Sequence, residues 1–451
     1  MAQLTLGKLE EAVSGPTAAF RCRTGLQPAG GEGDKVFPPT YAGAVYATEK
    51  RRLPDRDQPV ECVLLDSVQS QANRMEEALQ QAVDEGRLKI PVIEVDFAGN
   101  GLLTEIGKVT SLQAPHRIAD AILRDSLLDG KPFRQSEEGK RIDSVSLANA
   151  TPLYELCPTA LVFGMWDSTG PKGGLGAKFQ RAMVSEIVGI DAVYGVKTSS
   201  RIDPLQIRSG ITIYEDVDGN WTLENTRKKY GRNKETQGKP SAINHGNVTP
   251  AFTKYVKGAE GRDPLRPASV ELDYRVQTDD ETLRGSSRFR SLEIEARQGA
   301  IAAGGVTVAS AEQMVVLSLP ALRRLQFPLD GGQSDLKVNQ AGRTVLAALG
   351  LCAAALTAER GFDLRSRCLL WPSEALKWEL LGKPGTAAEG VGLDADAAIQ
   401  LLNEAVETAA KLGLTWRTEP LKLQPSPQLV ALVRKSQELS AAQGGGEEGG
   451  E

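Results

Sequence analysis

Apolar positions along the chain recur with two different periods. Val63, Leu64 and Leu65 form a short apolar run, a polar stretch from Asp66 to Arg74 interrupts it, and Met75, Ala78, Leu79, Ala82 and Val83 then follow at helical spacing. The pattern predicts a strand over 60–65 and a helix from about Ser70 to Asp84, capped by Ser67 or Ser70, with Glu76 and Glu77 in its first turn. Residues 18–23 read as an earlier strand, 49–57 as a charged loop, and 89–97 as an alternating strand before a turn at Gly99-Asn100-Gly101. Residues 115–127 predict a helix that opens on Pro115 and buries Ile118, Ala119, Ile122 and Leu123. Residues 159–166 predict a buried strand, 167–176 a glycine-rich loop, and 177–188 a second helix that carries Lys178 and Arg181 on one face. Residues 210–223 read as a hairpin that turns at Asp218-Gly219, and the strongest helical patterns are 341–359 and 395–412. Strands and helices mix along the chain, which is compatible with an α+β, ferredoxin-like core carrying insertions and equally allows other α/β arrangements.

Both strand-to-helix junctions gather hydrogen-bond donors. A helix start has unpaired backbone N–H groups, and Ser67, Ser70, Gln71, Asn73 and Arg74 add hydroxyl, amide and guanidinium donors, so the first junction is an anion cradle as well as a capped helix. At the second, Lys172, Lys178 and Arg181 stand beside glycines that let a sugar-phosphate chain approach the backbone. The second is neither a nucleotide-binding P-loop nor a dinucleotide fingerprint, because Ala177 and Phe179 occupy positions where those motifs need Lys and Gly. The chain has 451 residues, 41% of them hydrophobic, which is enough to bury a sizeable core. Its net charge of −5 and pI near 5.5 argue against a free-standing, non-specific nucleic-acid binder. Residues 226–240 run against that total, with Arg227, Lys228, Lys229, Arg232, Lys234 and Lys239 facing only Glu235.

Catalytic parts are few. The two histidines, His116 and His245, stand in no metal-ligand spacing, and the Asp216 to Asn220 segment has its glycine too early for a calcium loop. No nucleophile elbow occurs. Five widely spaced cysteines read as reduced thiols of a cytoplasmic protein, no signal sequence is expected at the N-terminus, and residues 345–358 are too short to span a bilayer. The sequence therefore implies no cofactor, no metal and no membrane partner.

Residues 64–76 (LLDSVQSQANRME), with LQPAGG at 26–31 and VFPPTY at 36–41, resemble the large backbone subunit of CRISPR Cascade complexes. The similarity is to the type I-G variant (formerly I-U) of the repeat-associated mysterious protein superfamily. It continues through 114–126, FGMWDSTG at 163–170, 181–187, 240–248 and 317–325, and covers about residues 20–330. The resemblance implies a modified RRM-like (ferredoxin-like) palm with a thumb-like insertion and additional helices. Its expected parts are a first palm segment over 15–190, a thumb over 191–280, the rest of the palm and a helical part over 281–440, and a disordered acidic tail over 441–451.

It also implies a non-catalytic subunit that binds crRNA, lines up with further copies of itself in a helical filament, presents bases to target DNA through the guide, and joins other Cascade subunits. The protein would then grip the backbone while base pairing reads sequence, as in another RNA-guided system. The implied RNA-binding residues are Ser67, Ser70, Gln71, Asn73, Arg74, Lys172, Lys178, Arg181, Arg227, Lys228, Lys229, Arg232, Asn244, His245 and Arg288. Arg284 and Arg290 lie beside the last of these. The alternative within the same superfamily is an RNA endonuclease, for guide processing or target-RNA cutting, with Asp216, Asp218 or His245 as its catalytic candidates.

Overall fold

The computed structural model describes residues 2–41, 45–54, 56–168, 170, 176–195, 304–329 and 332–444, with backbone alone at 214–215, 221–222, 254–256 and 266–268. Two compact units emerge. The first comprises Met1–Pro38, Thr48–Ala192 and Val308–Arg434, and the second Pro39–Ala47, Val193–Thr307 and Lys435–Glu451.

In chain order the first unit contains helix α1 (Leu6–Ser14) and strand β1 (Ala19–Pro28), then β2 (Thr48–Arg51), β3 (Val60–Asp66) and helix α2 (Val68–Asp84). After β4 (Ile93–Asp96) come α3 (Ala121–Arg124), α4 (Thr159–Phe163), β5 (Met165–Trp166), β6 (Lys178–Phe179) and β7 (Met183–Ile190). The unit resumes with β8 (Ser310–Ser318), α5 (Leu336–Arg360), β9 (Phe362–Asp363), β10 (Leu369–Pro372), β11 (Trp378–Leu381), α6 (Ala395–Lys411) and β12 (Leu421–Pro425).

The main sheet runs β9-β10-β1-β8-β7-β3-β2, and β11 also pairs with β1. Its pairings are antiparallel: Phe20 faces Leu317 across β1 and β8, and Ser185 faces Val315 across β7 and β8. Taken by itself, the run β11-β1-β8-β7 places the fourth, first, third and second of these strands side by side, with α2 between the first and second in sequence and α5 between the third and fourth. That is the strand–helix–strand–strand–helix–strand sequence of a split βαβ unit. A smaller sheet pairs β4 with β12 in parallel. The α+β class is thus what the chain forms.

Alternation along β1 sends Phe20 and Cys22 into the core and Arg21 and Arg23 to the opposite face. α5 is apolar nearly all round because it lies within that core, against α2, α6 and α1. It is long and apolar enough to cross a membrane, yet 83% of its most apolar window is buried by the rest of the protein. Gly350 lets it approach the sheet, since a Cβ there would sit 3.2 Å from Met183 and 3.3 Å from Val162.

The strand at 60–65 and the helices at 68–84, 341–359 and 395–412 form where periodicity places them. Elsewhere the structure corrects the sequence reading. Residues 159–163 are a helix, not a strand: all five side chains are buried, the polar Thr159 included, so the run carries no period to distinguish the two. Gly164, at φ +87°, ends that helix and turns the chain into β5. Residues 178–190 form strands rather than a helix, because Val184, Ile187, Val188 and Ile190 suit a pleated surface. The helix expected over 115–127 breaks into a 3₁₀ turn and the short α3, since Arg117 takes a φ of +53° and Asp120 restarts the helix by accepting the Ile122 N–H at 2.9 Å. Part of the charged loop at 49–57 is β2, zipped to β3, and α1 precedes the first strand.

In the second unit, Thr40–Tyr41 pairs with Val45–Tyr46 and Val193–Tyr194 with Val306–Thr307, and the Gly305 N–H donates to Tyr46 Oη at 2.8 Å. Tyr214–Glu215 pairs with Trp221–Thr222, as the hairpin reading expects. The basic segment at 226–240 lies outside the described residues, as do residues 445–451 of the tail expected over 441–451, whose first four residues end a helix over Pro427–Gly444.

Candidate nucleic-acid interface

β3 delivers the chain to α2 through Asp66 and Ser67. Ser67 is the N-cap, and its hydroxyl accepts the Ser70 N–H at 3.2 Å. Asn73 is exposed on the first turns, and Ser67, Ser70 and Arg74 are half-buried. Asp66 is fully buried beneath them. Its Oδ2 accepts from Gln71 Nε2 at 2.7 Å and Arg74 Nε at 2.9 Å, and its Oδ1 from Arg365 Nη2 at 3.3 Å. Arg365 also donates to the Leu65 carbonyl at 2.7 Å, and Arg74 to the carbonyls of Asp363 and Leu364.

One carboxylate therefore meets two guanidinium groups, which leaves an excess of positive charge at a helix N-terminus, where an anion is favoured. Gln71 has a different part. It is buried, and its carbonyl oxygen accepts from Ser185 and Gln313, each at 2.8 Å, so its amide joins α2 to β7 and β8 instead of facing a ligand. Glu76 is likewise no first-turn acid. It lies in the third turn, buried, and Arg117 grips it through two bonds of 2.7 and 2.6 Å. Burial pushes the Glu76 carboxyl up, and the facing guanidinium opposes that shift.

Arg117 extends the connection. Its third donor reaches the Gly164 carbonyl at 3.0 Å, and its guanidinium lies 5.7 Å from the Phe163 ring. Gly164 immediately precedes β5, which pairs with β6 as the stem of the glycine-rich loop, Trp166 facing Lys178. Asp167 closes the stem with an N–H bond to Ala177 O at 3.0 Å, and its carboxylate accepts from Arg134 at 2.9 Å. On the stem, Lys178 Nζ stands 5.2 Å from the Trp166 ring, which is 54% exposed. A cation over an open aromatic face offers a phosphate contact beside a stacking surface.

Lys178 and Arg181 are thus exposed on and beside a strand rather than on a helix. The contacts from Glu76 through Arg117 to the Gly164 carbonyl connect α2 to the stem of the glycine-rich loop. Lys172, Arg227, Lys228, Lys229, Arg232, Asn244, His245 and Arg288 lie outside the described residues, as do Asp216 and Asp218. Sequence reasoning missed Asp66 as the hub and Arg365 as its second cation, because Arg365 is 299 positions away along the chain.

The sheet face turned away from α5 is chemically different. Arg21 pairs with Glu379 at 2.8 Å, and the pairs of Arg23 with Glu312 at 2.7 Å and Arg51 with Glu186 at 2.8 Å line a groove of about 350 Å³. Arg23 and Arg51 in its lining are thus paired with carboxylates on other strands of the sheet, while Arg56 also lines it. Among the described residues, no three His, Cys, Asp or Glu side chains are arranged to hold a metal ion.

The fold and this site define an α+β protein with two linked, cationic strand-end cradles. Residues 20–194, from β1 through the β3–α2 junction and the glycine-loop stem, match the model of the family described as CRISPR-associated protein GSU0053. That family is a Cas7-type one of the repeat-associated mysterious protein superfamily, and the match supports a CRISPR Cas7-type subunit. No curated protein matches the chain.

Proposed function

We propose that the protein is a non-catalytic guide-RNA-binding backbone subunit of a type I CRISPR effector complex, of the I-G variant, acting in the cytoplasm. Copies line up along crRNA with other Cascade subunits and leave its bases free to pair with target DNA. The observation that carries this reading is the family match over 20–194, because it spans both cradles. The strand–helix–strand–strand–helix–strand order supports an RRM-like palm. Ser67, Ser70, Asn73 and Arg74 at one cradle, with Lys178 and Arg181 at the other, grip the sugar-phosphate chain without reading its letters.

The chain is co-expressed with its own repeat array and passed over a sizing column, and RNA is extracted from the peak. A multimer that carries repeat-derived RNA is expected, and a monomer free of RNA overturns the proposal. Incubation with guide and complementary RNA, with and without Mg²⁺, checks the non-catalytic part. No cuts are expected, whereas site-specific cuts abolished by Asp218→Ala or His245→Ala would assign a nuclease instead.

A further inference from the structure

Two apolar grooves lie at opposite ends of β1. The first, about 270 Å³, is lined by Leu147, Leu161, Phe179 and Leu325 together with Lys178 and Arg324. It sits at the Ala19 end, where Leu319 donates to the Ala18 carbonyl and Met183 faces Leu317. The second, about 650 Å³, is lined by Leu369, Trp371, Pro372 and Leu376 together with Glu359 and Glu374. It sits at the Pro28 end, where Pro28 faces Leu370 and Gln27 faces Trp371. β1 has ten residues, so its two ends are about 30 Å apart.

Their rims carry opposite charges. The first groove is lined by Arg324 and by Lys178, which the proposed function gives to the RNA backbone, with no carboxylate; the second is lined by Glu374 and by Glu359, which Arg87 already holds at 2.8 Å, with no cation, so Arg324 and Glu374 are the charges left to meet. Each also opens large apolar side chains to solvent: Leu147 is 45% exposed at the first, and Leu369 and Trp371 are 49% and 64% exposed at the second. Glu374 has only an exposed, 3.8 Å pairing with Lys377, and Arg324 is exposed with a single bond to Gln180 at 3.0 Å. An aromatic anchor with an acid beside it suits a basic-rimmed apolar socket.

We propose that these grooves are the two halves of one head-to-tail contact between copies of this chain, with Trp371 and Glu374 of one copy seated against Leu147 and Arg324 of the next. Because the halves are different surfaces at opposite strand ends, the contact is heterologous and does not close on itself in a dimer. The inference rests on the proposed function for the reason copies line up, and adds the surfaces by which they do so.

Arg324→Glu and Glu374→Arg are made singly and together, and RNA-loaded assemblies are weighed by light scattering while nucleotide content per chain is read by absorbance. Each single reversal is expected to weaken association at least about tenfold, and the double variant to restore it, since the pair is then re-formed with its signs exchanged. Trp371→Ala shortens assemblies without rescue by either reversal. If wild-type assemblies carry RNA and both single variants keep their length, or the double variant stays short, the inference is overturned and the RNA-binding reading stands. If the wild type carries no RNA, that reading fails, and the contact is judged by sedimentation of the RNA-free chain at rising concentration. Self-association broken by Arg324→Glu then supports it, and a monomer throughout overturns it.

Discussion

At Asp66 a single buried carboxylate is shared by Gln71, Arg74 and Arg365. Removing it leaves two half-buried guanidinium groups unpaired, so Asp66→Ala should cost about 3–5 kcal/mol, read as a shifted midpoint in urea. Arg365→Ala leaves Asp66 with two donors and should cost only about 2 kcal/mol in the same measurement. A comparable cost for the two variants would show that Asp66 is not the hub. The cysteines give a second expectation at this scale. All five are free and buried, and burial pushes the thiol of Cys352 up to about 12 and that of Cys368 up to about 11. Alkylation of the native protein at pH 8 should therefore be at least about a hundredfold slower than in denaturant, where the thiols return to their ordinary range. Rapid native labelling would refute this burial.

Elements near the glycine-rich loop depend on a few backbone positions. Gly164 has a φ of +87°, and a Cβ there would sit 3.1 Å from the Phe179 carbonyl and 3.2 Å from the Arg181 nitrogen. Gly164→Ala should therefore cost about 1–3 kcal/mol and loosen the β5–β6 stem. Exposed tryptophan fluorescence from Trp166 and urea unfolding both report on it, and an unchanged midpoint would remove the strain argument. Ser67→Ala should cost about 1 kcal/mol, the usual loss of an N-cap, with α2 otherwise intact by circular dichroism. The two substitutions separate a helix that starts by side-chain capping from one that stops by glycine geometry.

Across the whole molecule, an acidic total coexists with local cationic cradles, so binding to a polyanion should depend on few contacts and on salt. Lys178→Ala should weaken RNA loading equally for unrelated guides and reduce the slope of log affinity against log salt by about one, with stability unchanged. Arg74→Ala should lower both loading and the urea midpoint, because its guanidinium also holds Asp66 and the 363–364 backbone. A stability loss in Lys178→Ala, or guide-dependent binding in either variant, would contradict this division.

The sequence by itself determined the elements whose period is unambiguous: the strand into α2 and the helices α5 and α6, while it left the cap of α2 between Ser67 and Ser70. It also pointed to the two cradles, because runs of polar donors at an apolar boundary are local features. Only the tertiary structure decided the state of 159–163 and 178–190, where burial on every side or a surrounding sheet outweighs local preference. It alone assigned Gln71 to the core and brought Arg365 to Asp66, since side chains far apart along the chain meet only when strands and helices are packed. A charge or an amide acquires its role from what surrounds it, and that neighbourhood is a property of three dimensions.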